Sequence, residues 1–337
     1  MNFGVSDVCA EHDPGDRHPE NPDRIRAIKR ALQKRHGIEY VTAEPADEDD
    51  ARAVHDADYV AEIREFCEDG GGSWDPDTIA VEATWRAALA SAGLAMWTAD
   101  AALDGGTGRA TPFSLGRPPG HHAVADDAMG FCFLNNAAVA SQHAIDAHDV
   151  ERVAVFDWDV HHGNGTQDIF YDRDDVFYGS IHEDGLYPGT GDIDEIGTGD
   201  GEGATMNAPL PAGADDADYR LLFDEAFAPA IESFDPDLFL VSAGFDAHRH
   251  DPISRLHVST DGYGMLTTQV RDLAERCDAA LGFVLEGGYS LDTLSEGVGM
   301  VHEVFDGFVP EGPSSDPSDE AADVLADVRE AHGFGSK

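Results

Sequence analysis

The chain of 337 residues carries 67 acidic side chains against 21 basic ones, a formal charge of −46, and 18 of the bases are arginine. Such a balance argues against direct DNA or RNA binding through a basic face, and it stays soluble where salt screens its self-repulsion, so a salt-rich cytoplasm is expected. Cys9, Cys67, Cys132 and Cys277 are scattered with no CxxC pair, which argues for a reducing compartment and against a cysteine-based zinc site; no signal-peptide core and no apolar run long enough to span a membrane occurs.

In chain order, NPDRIRAIKRALQKRHG (21–37) predicts a helix with Asn21 as N-cap, Pro22 at the first helical position and Gly37 as the stop. YVTA (40–43) predicts a strand, and the Ala-rich TIAVEATWRAALASAGLAMWTADAALDGG (78–106) predicts a long helix closed by glycines. ATPFSL (110–115) is a strand and FLNNAAVASQHAIDAH (133–148) a helix. RVAVFDW (152–158) and DVFYGSI (175–181) are apolar strands, followed by a helix over 215–234. Strands at 237–243 and 281–286 alternate with helices at 259–277 and 290–308. Continuous apolar strands alternating with helices indicate an α/β fold, a mostly parallel open sheet covered on both faces. No linker interrupts it, so residues 1–310 are expected to form one catalytic domain. Residues 311–337, beginning EGPSSDPSDE, read as an acidic C-terminal tail with a short helix at 319–332.

Ligands of open parallel sheets bind beyond the carboxyl ends of strands, and four chemically rich segments occupy that place. GRPPGHH (116–122), DVHHGNG (159–165), GFDAH (244–248) and GGY (287–289) each follow a predicted strand. In the second, Asp157, Asp159 and His161 fall at i, i+2 and i+4 and share a face, with Trp158 and Val160 on the other. Two carboxylates buried together need a positive partner; a metal ion satisfies that need, and Asp246 completes a three-ligand set with an open fourth position, as catalytic zinc requires. The adjacent His121 and His122 are candidates for proton transfer or inert loop residues, and Tyr289 is a candidate oxyanion donor or a packed aromatic. GTGDGEG (197–203) follows no strand and is read as a loop; no G-x-S-x-G elbow occurs.

HPENPDRI, GRPPGHHA, GFCFLNN, DWDVHHGNGTQ, SIH, YPGTGD, GFDAH and EGGY stand in the order and spacing of the histone deacetylase superfamily. The resemblance runs from about residue 12 to about 305, closest to the class II enzymes and their bacterial relatives, including acetylpolyamine amidohydrolases. It implies a single open sheet of about eight strands. It implies zinc on Asp159, His161 and Asp246, tandem histidines His121 and His122 with the second as general base and acid, and Tyr289 assisting polarisation of the acetyl carbonyl. Asp157 would orient His121 and, with Ser180 and the carbonyls of His161 and Ile181, hold a structural potassium ion. Asn164 stands where class I members place an aspartate behind the second histidine, which favours the uncharged imidazole.

Gly130 and Phe131, together with Tyr187, match the tunnel that takes acyl-lysine, where the family commonly has phenylalanine at the last position. The loop AHRHDPISRLHVS (247–259) departs from the family pattern. Its His248, His250 and His257 are expected to be solvated, a second metal site being the alternative. Ile253 falls where some polyamine-specific relatives carry an acid, whereas SWDPDT (73–78) could supply Asp75 or Asp77. The expected function is zinc-dependent removal of acetyl groups from protein acetyl-lysine. The alternatives are a small acetylated amine as substrate, an arginase-type ureohydrolase, or a binding module without chemistry. The ureohydrolase would need a two-manganese motif that DWDVHHG does not provide, and the binding module would be expected to have lost a ligand or Tyr289. A homo-oligomer is compatible with the sequence.

Overall fold

The structure, a computed structural model, describes residues 1–15 and 17–333. Its strands are β1 (Asn2–Gly4), β2 (Glu39–Val41), β3 (Gly71–Ser73), β4 (Ile79–Val81), β5 (Pro112–Ser114), β6 (Val153–Asp157), β7 (Val176–Glu183), β8 (Thr205–Leu210), β9 (Leu238–Ala243) and β10 (Ala280–Leu285). The helices begin with α1 (Asp23–Leu32), α2 (Glu48–Arg52), α3 (Ala57–Glu68), α4 (Thr84–Leu103), α5 (Asn136–Ala147) and α6 (Asn164–Phe170). They continue with α7 (Asp216–Leu222), α8 (Ala228–Phe234), α9 (Thr260–Cys277), α10 (Leu291–Phe305) and α11 (Asp319–Ala331). Eight strands form one sheet in the order β2-β1-β5-β10-β9-β6-β7-β8, with every pairing parallel.

Alternation along the central strands explains the layers. Val153 and Val155 of β6 and Leu238 and Leu240 of β9 enter one core with alanines of α4 and α5. Ala154, Phe156, Phe239 and Val241 face the other, which is built with α1, α9 and α10. A sheet buried on both faces carries no polar alternation, which is why these strands were legible as plain apolar runs.

Several details differ from the sequence reading. Residues 79–81 are a strand pairing antiparallel with 71–73, so the long helix starts only at Thr84. The N-cap of α1 is Pro22, one residue later than expected; Asn21 Oδ1 still accepts the Asp23 N–H (3.0 Å), and the helix ends at Leu32, ahead of Gly37. A π-helical turn at Phe223–Phe227 divides the predicted 215–234 helix into α7 and α8. Strand β6 stops at Asp157, so Asp159 and His161 lie in the turn beyond it. The strands β1, β3 and β8 and the helices α2, α3 and α6 have no counterpart in the sequence reading. The acidic C-terminal segment folds back: α11 packs on β8 and α7 and buries Ala321, Leu325 and Val328 in the main core. It thereby flanks an edge strand whose backbone would otherwise be an open template. Among the described residues no helix is long and apolar enough to cross a membrane.

The charge of −46 makes a further expectation. Screening shrinks to roughly 3 Å at molar salt, so the melting temperature should rise between low and molar KCl as repulsion among carboxylates fades. A flat profile would contradict the salt-adapted reading, and repeating the series in NaCl isolates any contribution from a potassium site.

Candidate active site

The turns after β5, β6, β9 and β10 meet at one rim of the sheet. Asp159 and Asp246 are fully buried there, with His161 beside them. His161 Nδ1 stands 3.0 Å from Asp159 Oδ1 and 3.4 Å from Asp246 Oδ2. The remaining carboxylate oxygens are fixed by backbone: Gly287 N–H donates to Asp159 Oδ2 (2.8 Å) and Val160 N–H to Asp246 Oδ1 (2.9 Å). Asp246 Oδ2 is buried without a hydrogen bond. Burial disfavours charge on His161, yet the adjoining carboxylates prevail and hold its pKa at about 10, while Asp246 is raised by burial and by repulsion from Asp159. One nitrogen and two carboxylates thus converge with their ligand atoms within 4.8 Å of one another. The buried oxygen without a hydrogen bond and the surplus of negative charge fit a divalent cation with an N/O ligand set.

The tandem histidines lie against this cluster, their rings 4.0 Å apart. His121 Nδ1 donates to Asp157 Oδ2 (3.0 Å). Its burial is outweighed by the carboxylates of Asp159 and Asp157, which raise its pKa to about 10. His122 Nδ1 faces Asn164 Oδ1 at 2.8 Å, and Asn164 Nδ2 points to the His122 carbonyl oxygen and the Met129 sulfur. That orientation puts the His122 proton on Nδ1. Burial and the neighbouring His121 charge push the His122 pKa well below its ordinary value, so its ring is neutral.

Gly130 lets the chain pass close to this ring. Its φ is +56°, and a Cβ there would sit 2.4 Å from the His122 ring. Phe131 follows, also left-handed (φ 69°), a conformation unusual for an aromatic residue. Its ring packs edge-on against Tyr289, and Tyr187 packs edge-on against His122. Tyr187 also lies edge-on to His161, and Phe131 also packs against His18. Asp75 and Asp77 add to the burial that raises the Tyr187 hydroxyl pKa, and Asp77 lines a surface hollow with Phe131 and His18. Ile253 is half-buried in the turn after Asp251, with its N–H on Asp251 Oδ1 (3.2 Å).

Tyr289 is held by Arg24 and Asp251, and its turn is tied in further by Glu20 and Glu286, none of which the sequence reading singles out. Arg24, fully buried, lies with its guanidinium carbon 5.0 Å from the Tyr289 ring centre and donates through Nε to the Gly288 carbonyl (2.8 Å) and through Nη2 to that of Glu286. Glu20 in turn joins Arg24 to Arg117, taking Arg117 Nη2 at 2.6 Å. Asp251 Oδ2 accepts the N–H groups of Tyr289 (2.7 Å) and Ser290 (2.9 Å). Glu286 Oε2 accepts from Gly120 N (2.7 Å) and His121 N (3.2 Å), tying the histidine turn to the Tyr289 turn. HPENPDRI and EGGY flagged these segments, but no local pattern separates a buried arginine or carboxylate from a solvated one.

The predicted potassium ligands are adjacent: Asp157 and Ser180 pair across β6 and β7, and Ile181 is buried in the next position. Asp157 Oδ1 also accepts the Asp159 N–H (3.0 Å), and Ser180 Oγ is 2.9 Å from His182 Nδ1. The expectation for His248 is corrected. It is buried, stacked on Tyr263, with Nε2 3.2 Å from Thr260 Oγ1, and burial lowers its pKa to about 4. His250 and His257 are exposed, and the three histidines do not form a metal cluster among the described residues.

These turns rest on His55, whose Nδ1 donates to the Val124 carbonyl (2.9 Å) while Nε2 accepts the Asn135 N–H (2.9 Å). A second ring proton would face that N–H, and burial lowers the pKa from 6.5 to about 4. The unfolded chain takes up the proton first, so the stability is complete above pH 6.5 and is lost as pH falls towards 4. The loss over that window is about 3 kcal/mol at most. In urea titrations at successive pH values, wild type should lose about that much more than His55→Gln; parallel losses would assign acid sensitivity elsewhere.

The Histone deacetylase domain family matches residues 18–305. The chain belongs to the histone deacetylase family. A histone deacetylase-like amidohydrolase of Pseudomonas aeruginosa is 43% identical over 279 residues, covering 81% of this chain and 73% of that protein. Histone deacetylase 10, chloroplastic, of Oryza sativa is 40% identical over 312 residues, covering 86% and 69%. A probable deacetylase of Archaeoglobus fulgidus is 40% identical and covers 84% and 79%. The crystal structure of the HDA15 HD domain superposes with a TM-score of 0.90 at 34% identity, covering 98% of this chain and 96% of that one. Members of this family are hydrolytic deacetylases and depend on zinc, and the eight-stranded parallel sheet is the family's fold.

Proposed function

We propose that this histone deacetylase family member is a zinc-dependent deacetylase that hydrolyses the acetyl amide of lysine side chains in proteins. The observation that carries the reading is the buried Asp159–His161–Asp246 cluster, in which Asp246 Oδ2 makes no hydrogen bond, beside a neutral His122. Zinc held by these three residues would supply a Lewis acid for the amide carbonyl and acidify water.

The chain's own groups perform the proton work. His122, with its proton on Nδ1 held by Asn164, presents Nε2 to take a proton from the attacking water and deliver it to the departing amine. His121, charged and paired with Asp157, supplies positive charge where the tetrahedral oxyanion develops. Burial keeps the Tyr289 phenol protonated, so it can donate to the same oxygen. Water adds to the carbonyl carbon, the C–N bond breaks, and acetate and a free amine leave. Asp157 and Ser180 would hold a structural potassium ion beneath the histidine turn, and activity is expected in the cytoplasm.

For the substrate, the two rings of Phe131 and Tyr187 suit an uncharged aliphatic stem, and the match to a polyamine gatekeeper, Ile253, is apolar. Asp77 at the rim supports a second reading, a cationic acetylpolyamine. Long-range attraction by the acidic surface fades in high salt, leaving close contacts to discriminate. In molar KCl, kcat/KM for acetyl-lysine peptides should exceed that for acetylspermidine or acetylputrescine. If acetylpolyamines win by about tenfold, a difference of about 1.4 kcal/mol, the small-amine reading replaces this one. Asp75→Asn and Asp77→Asn would then be the variants expected to abolish the preference.

A further inference from the structure

A second convergence of ligand atoms lies outside the site just described. Asp100 is on α4, His143 on α5, and His148 in the turn that ends α5. Both imidazole Nε2 atoms stand 2.8 Å from one oxygen, Asp100 Oδ1. The two rings meet edge to face with centres 5.9 Å apart. The side chains are 42%, 21% and 29% exposed for Asp100, His143 and His148, so solvent reaches the focus. Helix α5 starts at the active rim, where its N-cap Asn135 holds the Ala123 carbonyl. At 1.5 Å of rise per residue, His143 lies roughly 12 Å further along the helix.

We propose that Asp100, His143 and His148 bind a second divalent transition-metal ion, zinc or a neighbour in its row, with solvent in the remaining coordination positions. Two imidazole nitrogens and one carboxylate oxygen suit zinc, copper, nickel or cobalt; magnesium and calcium favour oxygen ligands. Tetrahedral zinc with bonds of about 2.0–2.1 Å sets neighbouring ligand atoms about 3.3 Å apart. From the present 2.8 Å each imidazole nitrogen needs to draw back from the oxygen by about half an ångström, and the three ligand atoms already lie within 4.8 Å of one another. Part-exposed side chains provide that by small rotations. With neutral imidazoles and an ionised carboxylate, the loaded site carries one net positive charge, which the field of a chain at −46 favours. The ion would tie α4 to α5 and to the turn before β6, a brace between helices of the layer behind the catalytic histidines.

The alternative is a carboxylate that accepts two imidazole N–H groups and binds no ion. Full-length protein loaded with catalytic zinc and dialysed against low-micromolar free zinc separates the two by metal analysis. Wild type should hold two zinc ions per chain and His143→Ala/His148→Ala one, with unchanged deacetylase activity. Added zinc should raise the melting temperature of wild type and leave that of the double variant unmoved. His143→Gln/His148→Gln, which keeps polar side chains on the helix surface, should behave the same way and guards against a folding defect. Asp159→Ala should keep the brace ion while losing the other, so the result does not depend on the deacetylase reading. A wild type that takes up one zinc only, or a second ion that survives both double variants, overturns the proposal.

Discussion

Asp159→Ala should lose bound zinc and reduce deacetylase activity to background, while the chain stays folded. Asp159 lies at the centre of the cluster, touching His161 through Oδ1 and the Gly287 N–H through Oδ2. Removing it leaves one carboxylate and one imidazole on a cation that needs at least three protein ligands to stay while the fourth position is open. The variant strands two backbone N–H groups, of His161 and Gly287, at a cost of about 1–3 kcal/mol each where water cannot reach them. Against that, Asp246 loses the like charge that raises its pKa. Neither change touches the two hydrophobic cores, so circular dichroism should be native. Zinc per chain and acetate release are the measurements. A variant that keeps most of its activity with no metal bound would end the zinc reading. His161→Ala and Asp246→Ala should behave alike.

Tyr289→Phe should retain zinc and lose about 10²-fold or more in kcat, the usual cost of one oxyanion donor. The phenylalanine keeps the ring beneath Arg24 and against Phe131, and Asp251 still accepts the backbone N–H of residue 289. Only the hydroxyl is removed. Because that group acts mainly as charge develops, KM should move far less than kcat. An unchanged kcat would reduce Tyr289 to packing, and loss of zinc in this variant would mean that its turn shapes the ligand cluster.

Much of this architecture was legible before any coordinates. Strands such as 238–243 are apolar along both faces because helices cover both, and α9 was bounded by Ser259, whose hydroxyl accepts the Gly262 N–H (3.0 Å). Most segments that escaped are short or pattern-poor; α3 (Ala57–Glu68) is the exception, a 12-residue helix whose buried Tyr59, Val60, Ile63 and Cys67 follow helical spacing. β1 is three residues long, and β8 carries Asn207 and Pro209. A proline is tolerated there because β8 is an edge strand, with one side free of ladder bonds. Ile79–Val81 was absorbed into a helical reading because three residues cannot show a period.

Sequence alone also pointed to the candidate ligands, the tandem histidines and Tyr289: DWDVHHGNGTQ, GRPPGHH, GFDAH and EGGY contain Asp159, His161, Asp246, His121, His122 and Tyr289. It could do so because strand ends are local features and their polar residues stand out against apolar runs. Tertiary structure decided which charges are buried and what they face. Arg24 and His248 look in sequence like any other solvated base, yet one is sealed over the Tyr289 ring and the other is stacked on Tyr263. Asp100, His143 and His148 carried no motif, because their meeting depends on how α4 packs against α5. Burial and long-range contact are properties of the packed chain. A residue's pKa, partners and role follow from the groups that packing brings within a few ångströms, and those groups are distant in sequence.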